Sequence, residues 1–334
     1  MPRAPKLLVL QLKRIGDLIL TTPALAALRT AFPDAHITLA VSEGCAALLP
    51  AIPHVDASIV LGRGRGWAPW QQALTGGFDV CLDFTGNDRS ALLTVLSRAA
   101  QRVTFEWVKK SRSRSLAYSR FVDSPVREHH TADHYLYLLR GLDIAAAEVA
   151  CQLRLPASAQ DAAARACPAI PFAAIHPGSA RAEKYWLPAR WAEVIAHLHR
   201  VHGLPCVLTG GRDDFERAHI AQIRTALPPE IPLTDLSGQL DLCAFAAVLA
   251  RARLVVSCDT AAVHFAAAFR TPQIALFGVT NPFHWRPRHE RATVLSAAQP
   301  DAPLTRFTPR MKGAQMEALS TALVIRASDA LLSS

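Results

Sequence analysis

The sequence predicts an α/β protein of two domains, each built on a parallel sheet flanked by helices, and three observations carry that prediction. Short runs rich in Val, Ile and Leu alternate with longer helical patterns in both halves, as βαβ units require when their strands are buried on both faces. The alternation breaks once, between Asp143 and Pro168, in alanine-rich sequence punctuated by proline. The chain has 334 residues, 51% of them hydrophobic, which is more than one core usually encloses.

Residues 6–12 predict the first strand, ended by Lys13 and Arg14. Residues 18–31 follow as a turn and helix, in which Thr22 before Pro23 has the pattern of an N-cap with proline at the first helical position. Further strands are expected at 36–41, 57–61, 79–83 and 101–105, and apolar residues at helical spacing mark a helix at 134–142. After the break the pattern resumes with a strand at 172–176, a helix at 189–200, a strand at 205–209 and helices at 213–227 and 242–250. A strand at 254–257, a helix at 260–269, a strand at 273–277 and one closing helix at 315–332 complete it. The expected domains are residues 1–160 and 161–334, with the last helix a candidate to fold back on the first domain.

No run of 18 apolar residues occurs and the N-terminal apolar stretch has no cleavage site after it, so a soluble, unsecreted chain is expected. The seven cysteines (45, 81, 151, 167, 206, 243 and 258) are scattered without metal-ligand spacing. They read as free core thiols of a reducing compartment. The net charge of +9 implies an acidic partner: nucleic acid, an anionic membrane or a phosphorylated substrate. Residues 61–127 hold 11 Lys/Arg against 5 Asp/Glu, so the acidic partner is expected to meet that stretch. A nucleic-acid-binding protein is the alternative from a different class; it rests on charge alone, with low aromatic content and no helix-turn-helix, zinc-finger or RNA-binding signature.

Four segments carry candidate chemistry. In 13–23, Gly16 and Asp17 sit where the first strand gives way to its helix, the edge at which open α/β sheets bind ligands. An ordinary cap role for Asp17 stays equally open. No G-x-G-x-x-G or G-K-[ST] pattern is present, which argues against a dinucleotide or P-loop site and against a dehydrogenase. In His176-Pro177-Gly178-Ser179, small residues let backbone N–H groups approach an anion, and Arg181 and Lys184 add positive charge; a solvated basic loop is the plainer reading. In 257–268, Asp259 and Thr260 open an alanine-rich helix whose N-terminus suits a phosphate, and His264 follows one turn later. N-capping and a packed histidine are the structural alternatives. Lastly, Gly210 and Gly211 precede the carboxylates Asp213, Asp214 and Glu216, which fit ribose hydroxyls or a simple helix cap.

Together these motifs resemble glycosyltransferase family 9, the ADP-heptose:lipopolysaccharide heptosyltransferases, over nearly the whole chain. The strongest parts are 8–23 and the segment from Asp259 to His264. The run 276–282 with His284, Trp285, Arg286 and Pro287 looks most like heptosyltransferase III. The resemblance implies a GT-B architecture, two Rossmann-like domains whose parallel sheets face a central cleft, with the acceptor on the N-terminal domain and the nucleotide sugar on the C-terminal one. It implies Asp17 as catalytic base, Lys184 as the lysine before the Trp-Pro segment, and Asp259, Thr260 and His264 on the diphosphate; Ser179, Arg181, Gly211 and Ala261 are further candidates for the donor. Many members have glycine where Ala261 stands, and Leu187 is an insertion between Trp186 and Pro188. Arg14, Arg63, Arg65, Lys109 and Arg112 are candidates for the phosphorylated acceptor.

The implied reaction is inverting and metal-independent: a heptose moves from ADP-L-glycero-D-manno-heptose to the lipopolysaccharide inner core, with no cofactor and no metal site. A monomer in the cytoplasm, peripheral to the inner face of the cytoplasmic membrane and without nucleic acid, is expected. A GT-B transferase of another nucleotide sugar and a nucleotide-sugar epimerase are the enzymatic alternatives.

Overall fold

The protein is described by a computed structural model covering residues 4–145 and 150–333. It divides into two compact units, Met1–Arg154 and Leu155–Ser334.

In the first unit the elements are β1 (Lys6–Gln11), α1 (Ile15–Ala31), β2 (His36–Ser42), β3 (Ala57–Leu61), α2 (Ala68–Thr75), β4 (Val80–Asp83) and α3 (Asp88–Leu96). They continue with β5 (Gln101–Phe105), α4 (Arg112–Ser115), β6 (Arg120–Val122) and α5 (Thr131–Leu138). The six strands pair in parallel in the order β3-β2-β1-β4-β5-β6. Leu7, Leu8, Val9 and Leu10 are fully buried, as a central strand covered on both faces requires.

The second unit comprises α6 (Ala157–Ala166), β7 (Ala173–His176), α7 (Pro188–His202), β8 (Cys206–Leu208), α8 (Asp214–Ala226), β9 (Leu233–Asp235) and α9 (Leu242–Arg251). After them come β10 (Leu254–Cys258), α10 (Ala261–Ala268), β11 (Gln273–Phe277), α11 (Pro282–Trp285), β12 (Ala292–Ser296) and α12 (Thr321–Leu332). Its sheet is likewise parallel, ordered β12-β11-β10-β7-β8-β9. In both sheets the first and fourth strands of the unit lie side by side and the chain winds outward from them in opposite directions. That is a topological switch point, and ligands of open α/β sheets bind outside the carboxyl ends of the strands there.

Several expectations need correction. α1 begins at Ile15, and Pro23 lies inside it rather than at its start. Proline has no N–H for the Ile19 carbonyl, and the Thr22 hydroxyl supplies the missing donor at 2.7 Å, so the helix runs on. The chain from 157 to 166 is helix α6, not part of a linker; it packs on α9, which moves the boundary between units to 154/155. The tail is not one helix. A 3₁₀ turn at Met316–Ala318 precedes α12, whose start is capped by the Ser320 hydroxyl accepting from the Leu323 N–H at 3.2 Å. The Leu319 carbonyl at that break accepts from the Trp186 indole N–H at 3.0 Å. α12 packs on α7, β10 and β11 of its own unit. The edge strands β6, β9 and β12 have no counterpart among the sequence-based expectations. All seven cysteines are free, six of them buried.

Candidate active site

Each switch point gathers residues far apart in the chain. In the first unit, α1 starts directly beyond β1, and Asp17 stands at its third position, where the helix dipole favours a carboxylate. α5 packs on α1 and carries Tyr135 to it, whose hydroxyl donates to Asp17 Oδ1 at 2.5 Å. The Arg14 N–H reaches Asp17 Oδ2 at 3.4 Å. Burial and the neighbouring Asp17 charge push the Tyr135 phenol well above its usual range, so it remains a donor. Lys13 Nζ lies 3.4 Å from the same hydroxyl. Burial lowers the Lys13 ammonium below its ordinary value, opposed by the charges of Asp17 and Asp83.

Asp83 closes β4 on the other side of this switch point. It is fully buried, and burial raises its carboxyl above the usual range. It accepts from the Thr85 N–H at 2.7 Å, the Gly86 N–H at 3.1 Å and the Tyr118 hydroxyl at 2.5 Å. With its oxygens committed in this way, Asp83 fixes the loop after β4, whereas the half-buried Asp17 keeps an oxygen toward which its nearest donor is long.

The candidate acceptor residues lie on loops at this same carboxyl edge. Arg63 and Arg65 follow β3 in an exposed 3₁₀ turn, and Lys109 and Arg112 follow β5. Each of these strands is two places from β1 or one from β4, so at about 4.8 Å per strand the two loops flank the Asp17 loop at roughly 10 Å or more. Lys109 is tied to Glu106 at 2.8 Å, which removes it as an unpaired cation. Arg63, Arg65 and Arg112 have no ion-pair partner among the described residues. Arg14, the N-cap residue of α1, is exposed.

In the second unit, Lys184 bridges the switch point. Its ammonium donates to Asp259 Oδ2 at 2.6 Å and to the Asp259 carbonyl at 3.1 Å, joining the loop after β7 to that after β10. Asp259 is only 6% exposed, so the pair is largely withdrawn from solvent screening. Thr260 caps α10, accepting from the Ala262 N–H at 3.2 Å, and Ala261 is the first helical residue. Ser179 lies in the loop opposite, its hydroxyl accepting from the Arg181 N–H at 3.3 Å. His264 is buried one turn into α10 with its ring 6.4 Å from that of Trp285. Arg181 is held by Glu183 in an exposed ion pair at 2.5 Å, so its charge is partly spent locally.

Glu216, in the first turn of α8, lies beneath the glycine loops after β7 and β8. A methyl group on Gly178 would stand 1.7 Å from Glu216 Oε1, and one on Gly211 2.6 Å from Oε2, so those glycines admit the carboxyl group. Burial pushes Glu216 up to about 7; the Gly211 N–H opposes the shift and neighbouring Asp213 adds to it. The folded state therefore binds the proton more tightly than the unfolded chain. The stability this contributes is present below the unfolded value near 4.5 and is lost as pH rises through about 7. Between pH 5 and 8 the melting temperature of the wild type should fall relative to that of Glu216→Gln, and parallel melting curves would contradict this account of Glu216.

Comparison with known proteins places the chain in a family. The model of glycosyltransferase family 9 (heptosyltransferase) matches residues 67–314, well over half of the chain. The chain belongs to this family. It is an enzyme that transfers glycosyl groups. It is 27% identical over 310 residues to the lipopolysaccharide core heptosyltransferase OpsX of Haemophilus influenzae, covering 90% of this chain and 86% of that protein. It is 25% identical to lipopolysaccharide heptosyltransferase 3 of Escherichia coli, over 81% of this chain and 83% of the relative. Among solved structures, the E. coli ADP-heptose lipopolysaccharide heptosyltransferase II superposes with a TM-score of 0.82 at 20% identity, covering 98% of both chains. These matches make the fold that of the GT-B heptosyltransferases.

Tyr135 and Gln11 stand at the first switch point without having been singled out by the sequence motifs. Gln11, at the end of β1, is fully buried and donates to Thr21 Oγ1 at 2.7 Å. A polar residue ending an otherwise apolar strand was the signal available for Gln11.

Proposed function

We propose that this enzyme moves a heptose from ADP-L-glycero-D-manno-heptose to the inner core of lipopolysaccharide, with inversion at the anomeric carbon and without a catalytic metal. The observation that carries the proposal is the bridge of Lys184 to Asp259 beside the N-terminus of α10. An ammonium, the positive end of a helix dipole and the Ser179 loop come together there, the kind of surroundings a leaving nucleoside diphosphate needs. The names of the relatives supply the donor and acceptor class.

In this reading the second unit holds the donor. Thr260, Ala261 and the α10 N-terminus meet the diphosphate, Lys184 turns part of its charge from Asp259 to the phosphates, and Ser179 adds a hydrogen bond. Gly211 and Glu216 lie against the ribose. His264, seated between α10 and Trp285, keeps the helix start in place, and Arg181 approaches from solvent. The first unit holds the acceptor: Asp17 takes the proton of the attacking hydroxyl, while Arg14, Arg63, Arg65 and Arg112 meet its phosphates. Attack from the face opposite the diphosphate inverts the anomeric centre, and charge grows on the leaving group as oxocarbenium character grows on the sugar. An assay of ADP release with a heptose-bearing core acceptor, run with EDTA and followed by NMR of the product anomer, tests all three points. Retention of configuration, or activity that vanishes with EDTA, would overturn the corresponding part.

The same arginines suit an anionic leaflet, because a basic group near such a surface contributes about 1 kcal/mol and does so less at high salt. No helix among the described residues is long and apolar enough to cross a membrane. Beside these arginines, Trp67 is 63% exposed and Leu116 84% exposed. We expect the enzyme to work in the cytoplasm at the inner membrane face, bound peripherally. Charge reversal at Arg63, Arg65 and Arg112 together should abolish cosedimentation with vesicles containing phosphatidylglycerol at low salt. Unchanged cosedimentation would contradict that assignment.

A further inference from the structure

The second unit also carries a cluster for which the transfer reaction has no use. His197 and His202 project from α7, and their Nε2 atoms lie 2.7 and 2.6 Å from the same oxygen, Oδ1 of Asp329 on α12. The three candidate ligand atoms all lie within 4.8 Å of one another. Both imidazoles are about 20% exposed and the carboxylate 40%, so the cluster is anchored on helices yet reachable from solvent.

We propose that His197, His202 and Asp329 form a binding site for a divalent transition-metal ion of the zinc class, which pins the closing helix α12 to the end of α7. Two imidazoles and one carboxylate are the ligand set that such borderline cations accept, with water completing a tetrahedron. Metal–nitrogen and metal–oxygen bonds of about 2.0–2.2 Å place ligand atoms roughly 3.3–3.5 Å apart. The two nitrogen–oxygen contacts, at 2.7 and 2.6 Å, therefore need to open by about 0.6–0.9 Å, within the reach of side-chain rotation. Each imidazole now offers Nε2 to the carboxylate. On binding, each Nε2 turns its lone pair to the cation, and a proton carried there moves to Nδ1 or leaves to solvent.

The topology separates this site from the chemistry. α7 leaves the carboxyl edge of the sheet after β7 and returns to the amino edge before β8, with His202 as its last residue. At 1.5 Å per residue its 15 residues span about 22 Å. The far end of α12 is at the same edge, where Arg253, just before β10, donates to the Leu332 carbonyl at 3.3 Å. The donor loops lie at the opposite edge. The site is thus structural, and it stands independently of the proposed heptosyl transfer.

Titration of the full-length, metal-stripped protein with Co²⁺ and with Zn²⁺ tests this. The expected result is one equivalent bound, with a visible cobalt spectrum of nitrogen and oxygen ligation. The melting temperature should rise by roughly 3–5 °C at ten times the dissociation constant. His197→Ala, His202→Ala and Asp329→Asn should each weaken binding at least tenfold, while glycosyl transfer in EDTA stays at the wild-type rate. The stoichiometric spectrum of the wild type needs no variant to fold, so the proposal can fail on that measurement alone. Absence of saturable binding near one equivalent, binding that ignores the three substitutions, or a thiolate-to-cobalt charge-transfer band would each overturn it.

Discussion

Asp17→Asn should lower kcat by roughly 10²–10⁴-fold, the usual worth of general-base assistance, while the Kd for ADP changes by less than about twofold. The substitution keeps the shape of the side chain and the hydrogen bond from Tyr135 to its Oδ1 position, so the loss reports proton transfer and not collapse of the loop. The cost to α1 is small, because of its capping contacts only the long 3.4 Å one from the Arg14 N–H to Asp17 Oδ2 is lost. Stopped-flow or steady-state ADP release checks kcat, and calorimetry checks the nucleotide. A variant retaining near-normal turnover would remove Asp17 from the role of base.

Lys184→Ala should act on the other substrate. Removing the ammonium leaves Asp259, 6% exposed, as an uncompensated charge at the proposed diphosphate site. Charge-assisted hydrogen bonds are worth about 1.5–3 kcal/mol, which corresponds to a loss of roughly 10–100-fold in nucleotide affinity. Turnover should fall further, by about 10²–10³-fold in kcat, because the charge on the leaving group is larger in the transition state than in the bound donor. The double variant Lys184→Ala/Asp259→Asn should recover part of the affinity, since it removes the unpaired carboxylate too. Equal affinities for the single and double variants would show that the ion pair is only a structural tie between the two loops.

The sequence was most informative where local pattern and burial agree. Central strands such as β1 and β10 are continuous apolar runs because both their faces are covered, and the glycine or small residues after them mark the carboxyl edge. Hence Asp17, the Ser179 loop and the Asp259-Thr260 pair are legible in the residue pattern alone. Local signals misled where a side chain repaired a broken rule. Thr22-Pro23 has the pattern of a helix start, yet the Thr22 hydroxyl fills the carbonyl that proline leaves open and α1 begins eight residues before Pro23. α6 escapes the sequence pattern because the residues it buries are Ala159 and Ala163, which do not stand out as an apolar face in an alanine-rich segment.

The partnerships at the site were illegible for a different reason. Tyr135 lies 118 positions from Asp17 and Lys184 75 from Asp259, and only the parallel winding of each sheet brings them together. That Lys184 and Asp259 would be paired with each other, instead of each facing a ligand alone, follows from the switch point and not from either motif. The unusual proton affinity of Glu216 likewise comes from the loops that cover it.

The central claim is that Asp17 and the cations of the chain itself carry out heptosyl transfer. Its most direct test is ADP release from ADP-heptose with a heptose-bearing lipopolysaccharide core acceptor in excess EDTA, comparing wild type with Asp17→Asn. The account predicts acceptor-dependent turnover by the wild type at an undiminished rate in EDTA, and a variant slower by at least about 100-fold. Equal rates for the two proteins, or a wild type silent until a metal is restored, would contradict it.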